Sequence, residues 1–301
     1  MTTNLVIVHA LSPIHCGTGQ AISGIDLPIA RERSTGTPLI PGSSIKGVLR
    51  AHPGGYDLAA DEHGKPQQKP RGVHLAAFGP ETPNASEHAG GVQFADAHLL
   101  FLPMRSVRGT FAWVTSPHLL RRLQRDLAEA NVDWTIPKAA VADEEATVAS
   151  DRLVVKIGKQ ERVVLEDFDF TARTSKEVGA LATSVGKAIY GAEAAEDIQH
   201  LRDRLCLVGD DVMRVLARTG MEVTARNRID PDTRTVAKGA LWTEEALPAE
   251  TVLAGSLLVT PARRSDDPNA LLAHIRSLCT RPIQLGGKAT VGRGLCNVEV
   301  L

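Results

Sequence analysis

Apolar positions along this chain follow two rhythms, and the rhythms separate strands from helices. "NLVIVHAL" (4–11) is a short unbroken apolar run rich in β-branched residues, which predicts a strand. "GVQFADAHLLFLPMRSVRGTFAWVTSP" (91–117) predicts two strands joined around "RSVRG", and "TVLAGSLLVTP" (251–261) predicts another. In "PHLLRRLQRDLAEAN" (117–131) leucines recur at helical spacing behind a proline, the pattern of an amphipathic helix. "DDPNALLAHIRSLC" (266–279) repeats it, with aspartate at the cap and proline in the first turn. Helices are also predicted over 178–189 and, as one longer element, 195–219, with short strands near 153–157 and 162–165. "MEVTARNRIDPDTRTVAKGALWTEEALP" (221–248) reads as a long hairpin turning at "DPDTRT".

Strand–helix–strand order at both ends predicts an α+β fold, with an RRM-like or ferredoxin-like core in a single domain over 1–301. Residues 52–91 are polar and rich in glycine, proline and histidine. They read as an insertion or flexible loop, with His52, His63, His74 and His88 as solvated loop residues. Residues 132–220 read as a second, largely helical insertion.

Composition narrows the function classes. The 34 Lys and Arg against 35 Asp and Glu give a net charge of -1, so any nucleic-acid surface must be local. Aromatics are only 4%, which disfavours a base-stacking face. Cys16, Cys206, Cys279 and Cys296 form no CxxC pair and read as buried small residues of a reducing, cytoplasmic protein. The opening residues lack a basic segment and read as a strand rather than a signal peptide, and no apolar stretch is long enough to span a membrane.

The candidate chemistry lies in glycine-rich stretches. "STGTPLIPGSSIKGVLR" (34–50) approaches a P-loop and departs from it, because Ser43 stands where the lysine belongs. It predicts a helix capped by Ser43 or Ser44, with Lys46 and Arg50 on one face, a device suited to a phosphate or simply a solvated helix. "LGGKATVGRG" (285–294) places Gly286, Gly287, Gly292 and Gly294 beside Lys288 and Arg293. It is either an anion-binding nest or a tight hairpin. Two such devices in a near-neutral chain favour a phosphodiester ligand. Asp26 and His15 sit in glycine-rich loops, where a carboxylate can bind a hard cation or move a proton, or merely make a turn. The hairpin carries Arg226, Arg228, Arg234, Lys238, Trp242, Glu244 and Glu245; it is either an ordinary exposed hairpin or one that packs against a ligand or partner subunit, as long hairpins without their own core tend to do.

Six segments in order, "LSPIHCGTGQ", "GIDLPIARERSTGTPLIPGSSIKGVLR", "GVQFADAHLLFLPMRS", "GTFAWVTSP", "IDPDTRTVAKGALWTEEALP" and "LGGKATVGRG", resemble the repeated, Cas7-like backbone subunit of the type III-B CRISPR Cmr effector, a member of the RAMP superfamily. The resemblance spans nearly the whole chain. It implies an RRM-like palm, with 221–248 as a thumb carrying Arg226, Arg228, Lys238 and Trp242. It implies copies stacked in a filament along one crRNA beside other Cmr-type subunits, and RNA backbone held by Ser43, Ser44, Lys46, Arg50 and the glycine-rich loop. It further implies target RNA cut beside each thumb with a divalent metal, Mg²⁺ or Mn²⁺. Asp26 then matches the family's cleavage residue and metal ligand, His15 its first-loop histidine as an assisting catalytic group, and Glu244 and Glu245 its thumb-base acids only loosely, with Glu245 as the third catalytic candidate. A non-cleaving RNA scaffold and a metal-independent CRISPR RNA-processing ribonuclease remain open as alternatives. A P-loop NTPase is the weakest reading.

Overall fold

The strand Thr2–Ala10 (β1) is buried on both faces, which is why its sequence runs apolar without alternation. Val6, Val8 and Ala10 enter one core; Leu5 and Ile7 enter another on the opposite side. The computed structural model describes residues 1–19, 24–60, 65–80, 88–138, 141–261 and 266–301.

After β1 the chain forms β2 (Leu39–Ile40), α1 (Gly42–Arg50), β3 (Tyr56–Ala60), β4 (Pro66–Pro70), α2 (Gly72–Phe78), β5 (Val92–Phe94), β6 (Ala97–Arg105), β7 (Phe111–Thr115) and α3 (Pro117–Ala130). The middle of the chain adds β8 (Glu145–Val148), β9 (Val154–Ile157), β10 (Gln160–Leu165), β11 (Phe168–Thr174), α4 (Lys176–Tyr190), α5 (Ala195–Arg204), β12 (Leu205–Val208) and α6 (Asp210–Thr219). The hairpin β13 (Glu222–Ile229) and β14 (Val236–Ala246) follows, then β15 (Val252–Val259), α7 (Pro268–Leu278), β16 (Ile283–Gln284) and β17 (Leu295–Val300).

The centre of the main sheet runs β17-β1-β15-β6, all antiparallel. With α1 between β1 and β6, and α7 between β15 and β17, this is the ferredoxin-like order that the two β-α-β patterns predict. Helices α1, α2 and α7 bury Ile45, Leu49, Phe78, Leu271 and Ile275 in one core, while α3 and α4 bury Leu120, Leu123, Leu181 and Val185 in the other. Strand β6 joins two parts of one sheet: His98–Phe101 pairs with β15, and Leu102–Arg105 pairs with β7. From β7 the sheet continues through β12, β8, β11 and β10 to β9.

The middle region differs from the expected helical insertion. Residues 132–220 also contain β8 to β12, which extend the main sheet. The single helix expected over 195–219 is α5 and α6 with β12 between them. "LCLV" is buried at every position and pairs with β7 and β8, and this tertiary pairing overrides the local helical pattern.

The 52–91 stretch also departs from a plain loop. It contains the β3–β4 hairpin and α2, which docks on α7. His74 is buried, and its Nδ1 lies 2.9 Å from Nε2 of His274 on α7, so it is no solvated loop residue. His52 caps the turn that follows it by accepting from the Gly54 amide, while His63 lies outside the described residues.

The four cysteines are free and buried, as expected; burial pushes Cys16 up to about 11 and Cys206, Cys279 and Cys296 up to about 12. Among the described residues, no helix is long and apolar enough to cross a membrane.

Candidate functional site

The base of β14 organises the site through the two-residue period of a strand. Thr243 and Glu245 engage the segment 26–31, whereas Trp242 and Glu244 engage the glycine-rich loop and β13.

On the first face, Asp26 and Thr243 form three hydrogen bonds. The Thr243 amide and hydroxyl donate to Asp26 Oδ2 at 2.8 and 3.0 Å, and the Asp26 amide donates to Thr243 Oγ1 at 3.1 Å. The neighbouring backbone closes like a zipper, with Leu27 N donating to Thr243 O and Glu245 N donating to Leu27 O, each at 3.0 Å. The Thr243 bonds, backbone first and hydroxyl second, hold the exposed Asp26 carboxyl below its usual range, so it is ionised at neutral pH. Asp26 Oδ1 has no hydrogen-bond partner among the described residues.

Glu245 has a different role from Asp26. It is 3% exposed; its Oε2 accepts from the Ile29 amide at 3.0 Å, and its Oε1 pairs with Arg31 Nη2 at 2.5 Å. Arg31 in turn donates to the carbonyls of Gly36 and Ala217. The Glu245 carboxylate is thus a buried clamp on the Asp26 segment, with no access to a metal or a scissile phosphate. This departs from the catalytic role its resemblance implied.

His15 is buried as well, with Nδ1 2.7 Å from the Glu245 carbonyl. A carbonyl only accepts, so Nδ1 carries the proton and, in the neutral ring, Nε2 carries the lone pair. The first loop therefore contacts β14 two residues from Thr243, which brings His15, Asp26 and the hairpin base into one site.

On the second face, Glu244 is buried. Its Oε1 accepts from Trp242 Nε1 at 2.8 Å and from Lys288 Nζ at 2.9 Å, and Arg226 Nε lies 3.5 Å from its Oε2. Burial pushes this carboxyl up, but the two hydrogen bonds and the charges of Lys288 and Arg226 outweigh it and hold it below its ordinary value. Lys288 stands in the left-handed region at φ 68°, a strain of roughly 1–2 kcal/mol that the pairing helps to offset. Arg293 is 6% exposed, 3.8 Å from Glu222, and its Nε and Nη1 have no hydrogen-bond acceptor among the described residues. Buried donors without a hydrogen bond are costly, and the Glu222 carboxylate beside Nη1 offsets part of that cost.

The glycine-rich loop is shaped by close approach. Gly286 at φ 77° and Gly294 at φ 86° would place a Cβ 2.5 Å from the His15 carbonyl and 2.1 Å from the Leu285 carbonyl. The Gly287 amide donates to His15 O and the Gly294 amide to Pro13 O, each at 2.8 Å. Those amides are spent on the first loop rather than left open as an anion nest. Gly292 has open space around it.

The start of α1 also differs from expectation. The helix begins at Gly42, and neither Ser43 nor Ser44 caps it. Asp96 Oδ1 accepts from the Gly42 amide at 2.9 Å instead, a cap supplied from 54 residues away. Ser43 is exposed and Ser44 half-buried. Lys46 donates to the Val92 carbonyl at 2.9 Å, and Arg50 donates to the carbonyls of Phe78 and Pro80. Burial, then the charge of Arg50, lowers the Lys46 pKa. In the unliganded chain both cations brace the fold.

Beyond its base, the hairpin forms a two-stranded sheet of its own, and Arg228, Lys238, Val223, Ile229, Val236 and Leu241 are exposed along it. Asp230 accepts from the amides of Asp232 and Thr233 and sets the turn where "DPDTRT" predicts it.

Among the described residues, no three His, Cys, Asp or Glu side chains converge. With Glu244 and Glu245 engaged, the donor for a hard cation is the one unpartnered oxygen of Asp26. That donor fits an ion such as Mg²⁺, which keeps much of its water and draws further ligands from substrate phosphates.

Sequence reading missed Thr243, Arg31 and Asp96. The alternation in "LWTEEA" was the available signal for Thr243; nothing local marks Arg31 or Asp96, whose partners lie far away in the chain.

This architecture is shared with known proteins. The model of the RAMP superfamily matches residues 7–297. The CRISPR system Cmr endoribonuclease Cmr4 of Pyrococcus furiosus is 36% identical over 100% of this chain and 96% of its own length. The CRISPR system CMR subunit Cmr4 of Saccharolobus solfataricus is 24% identical over 98% and 95%. A crystal structure of oligomeric Cmr4 from Pyrococcus furiosus superposes with a TM-score of 0.70 at 31% identity, covering 100% of this chain and 98% of that one. A cryo-EM structure of the type III-B Cmr-beta bound to cognate target RNA shares the fold at a TM-score of 0.72 and 21% identity, covering 100% and 97%. The ferredoxin-like sheet order, the hairpin strapped to two glycine-rich loops and these matches along the full chain lead to one assignment: the chain belongs to the RAMP superfamily and, within it, to the Cmr4 family.

Proposed function

We propose that this chain is a crRNA-binding backbone subunit of a type III-B CRISPR effector. Several copies of it line one guide, alongside other Cmr-type subunits, and each cuts the complementary target RNA beside its hairpin. The single observation that carries the cleavage reading is Asp26: exposed, ionised and anchored through Oδ2, with Oδ1 unpartnered among the described residues. The 36% identity to a protein named an endoribonuclease over the whole chain supports the same reading.

The chain's residues divide the work. Lys288 and Arg293, the cations of the glycine-rich loop, bring positive charge to the RNA backbone, whose A-form geometry is read without base contacts. Exposed Arg228 and Lys238, with the apolar residues along the hairpin, meet the guide–target duplex. His15, hydrogen-bonded through Nδ1 to the Glu245 carbonyl of β14, supports the hairpin base from the first loop. Asp26 Oδ1 is the acidic oxygen presented to the substrate. A divalent cation, Mg²⁺ or Mn²⁺, held by Asp26 and RNA phosphate oxygens, would neutralise charge at the phosphate.

The test is a cleavage assay on complex reconstituted with guide and complementary target, comparing wild type and Asp26→Ala in Mg²⁺, in Mn²⁺ and in EDTA. Evenly spaced products from wild type, whole but bound target with Asp26→Ala, and silence in EDTA are expected. Equal cutting by both proteins would make this chain an RNA-binding scaffold whose cutting residue lies elsewhere. Undiminished cutting in EDTA would remove the metal.

A further inference from the structure

We infer that Thr243, on the hairpin strand, is a positioning residue for Asp26 and decides which carboxylate oxygen meets the substrate. The inference rests on the reading of Asp26 as the cleavage acid.

A loop carboxylate with no fixed partner rotates freely about two side-chain bonds, and only a fraction of its orientations are productive. Fixing such a group in advance removes that entropy from the barrier. Among the described residues the fixing is done from one side only. Thr243 reaches Asp26 Oδ2 with both its amide and its hydroxyl, and that hydroxyl also accepts from the Asp26 amide. The hydroxyl therefore joins the backbone and the side chain of the same residue, which sets the side chain relative to its own main chain. A hydroxyl can accept and donate together; valine can do neither, and serine can do both. Since Oδ2 takes both donors, Oδ1 is the oxygen left for the ligand.

The support behind Thr243 is rigid. Its carbonyl accepts from Leu27 N, the next pairing joins Glu245 N to Leu27 O, and the buried Glu245 carboxylate grips Ile29 N and Arg31. The hairpin and the acid thus form one mechanical unit across 217 residues of sequence. A hairpin displaced by RNA would carry Asp26 with it.

The test uses Thr243→Val and Thr243→Ser, with Asp26→Ala as reference, and takes two readouts. The first is amide hydrogen exchange in the full-length chain. The Asp26 amide loses its acceptor in Thr243→Val and should exchange about tenfold faster, while the Leu27 amide, bonded to the Thr243 carbonyl, stays protected. Thr243→Ser should return Asp26 to wild-type exchange. The second is target cleavage by guide-loaded complex. At saturating target the Thr243→Val rate should fall on the order of tenfold, with target affinity unchanged and Thr243→Ser restoring the rate.

Wild-type exchange at Asp26 in Thr243→Val, or wild-type cleavage by it, overturns the inference. So does a loss that falls on target affinity rather than on rate. If Leu27 also loses protection, Thr243→Cys, close in size and a poor acceptor, replaces valine in both readouts. If Asp26→Ala cuts at the wild-type rate, the cleavage reading of Asp26 fails and takes the catalytic half of the inference with it. Exchange at Asp26 still decides whether Thr243 holds the side chain.

Discussion

Lys288 Nζ lies 2.9 Å from Glu244 Oε1, so the cation of the glycine-rich loop is already paired before any phosphate arrives. The pair is asymmetric: the lysine is one-third exposed, whereas the glutamate is almost wholly buried. Removing the lysine leaves a buried carboxylate still held by Trp242 and Arg226, whereas removing the glutamate frees Lys288 to turn to water but orphans those two donors. Glu244→Ala should destabilise the chain by about 2–3 kcal/mol and Lys288→Met by less, and the double variant should cost less than the sum. Urea denaturation of the four proteins gives the coupling, and strict additivity would show that the pair contributes nothing.

The glycine-rich loop should respond to alanine by position. Gly286→Ala and Gly294→Ala meet carbonyl oxygens at 2.5 and 2.1 Å as well as an unfavourable φ. Each should cost on the order of 3 kcal/mol or more, or prevent folding. Gly292→Ala has an equally unfavourable φ of 80° but open space, so only about 1–2 kcal/mol is expected. Denaturation midpoints that rank the three alike would refute the close-approach account.

The cap on α1 comes from Asp96, not from the serines beside it. Asp96→Ala should cost about 1 kcal/mol, whereas Ser43→Ala should cost nothing measurable. The reverse ranking in thermal unfolding would return the cap to the serines.

The His74–His274 pair makes stability depend on pH. Burial first, then the charges of His74, Arg71 and His52, pushes His274 down to about 4; burial likewise lowers His74. An unfolded histidine titrates near about 6.5, so between these values the unfolded chain takes up a proton that the native chain refuses. The contribution is complete above about pH 6.5, falls as the pH drops towards 4, and is lost below it, a change of up to about 3 kcal/mol. His274→Gln should flatten that part of the stability curve, and parallel curves for the two proteins would remove His274 as the cause.

What the sequence disclosed follows from how local each cause is. β1, α3 and α7 were legible because their apolar patterns lie within the elements; Asp267 and Pro268 mark the start of α7, and Asp267 caps it. The turn at Asp230 was equally local. β12 was not legible, because "LCLV" becomes a strand only by pairing with β7 and β8. The structure in 52–91 depends on a histidine 200 residues away. The site divides along the same line: Asp26 and His15 stood out as residue types in glycine-rich loops, but Thr243 gains meaning only when residue 26 arrives beside it. The same distance explains why Lys46, Arg50 and Lys288 look free in the sequence and are bonded in the fold.

The alternating base of β14 sets a rule of parity for this hairpin. Its tip, Pro231–Arg234, is exposed, and residues added or removed there in pairs leave the base untouched. One residue inserted between Leu241 and Trp242 would turn every base side chain to the opposite loop. Trp242 would then stand where Thr243 now meets Asp26, and the threonine would stand where Glu244 now meets Lys288. A hairpin grafted from a relative must therefore be joined in even register, whatever its length, and a graft one residue out would fold while disarming the site beneath it.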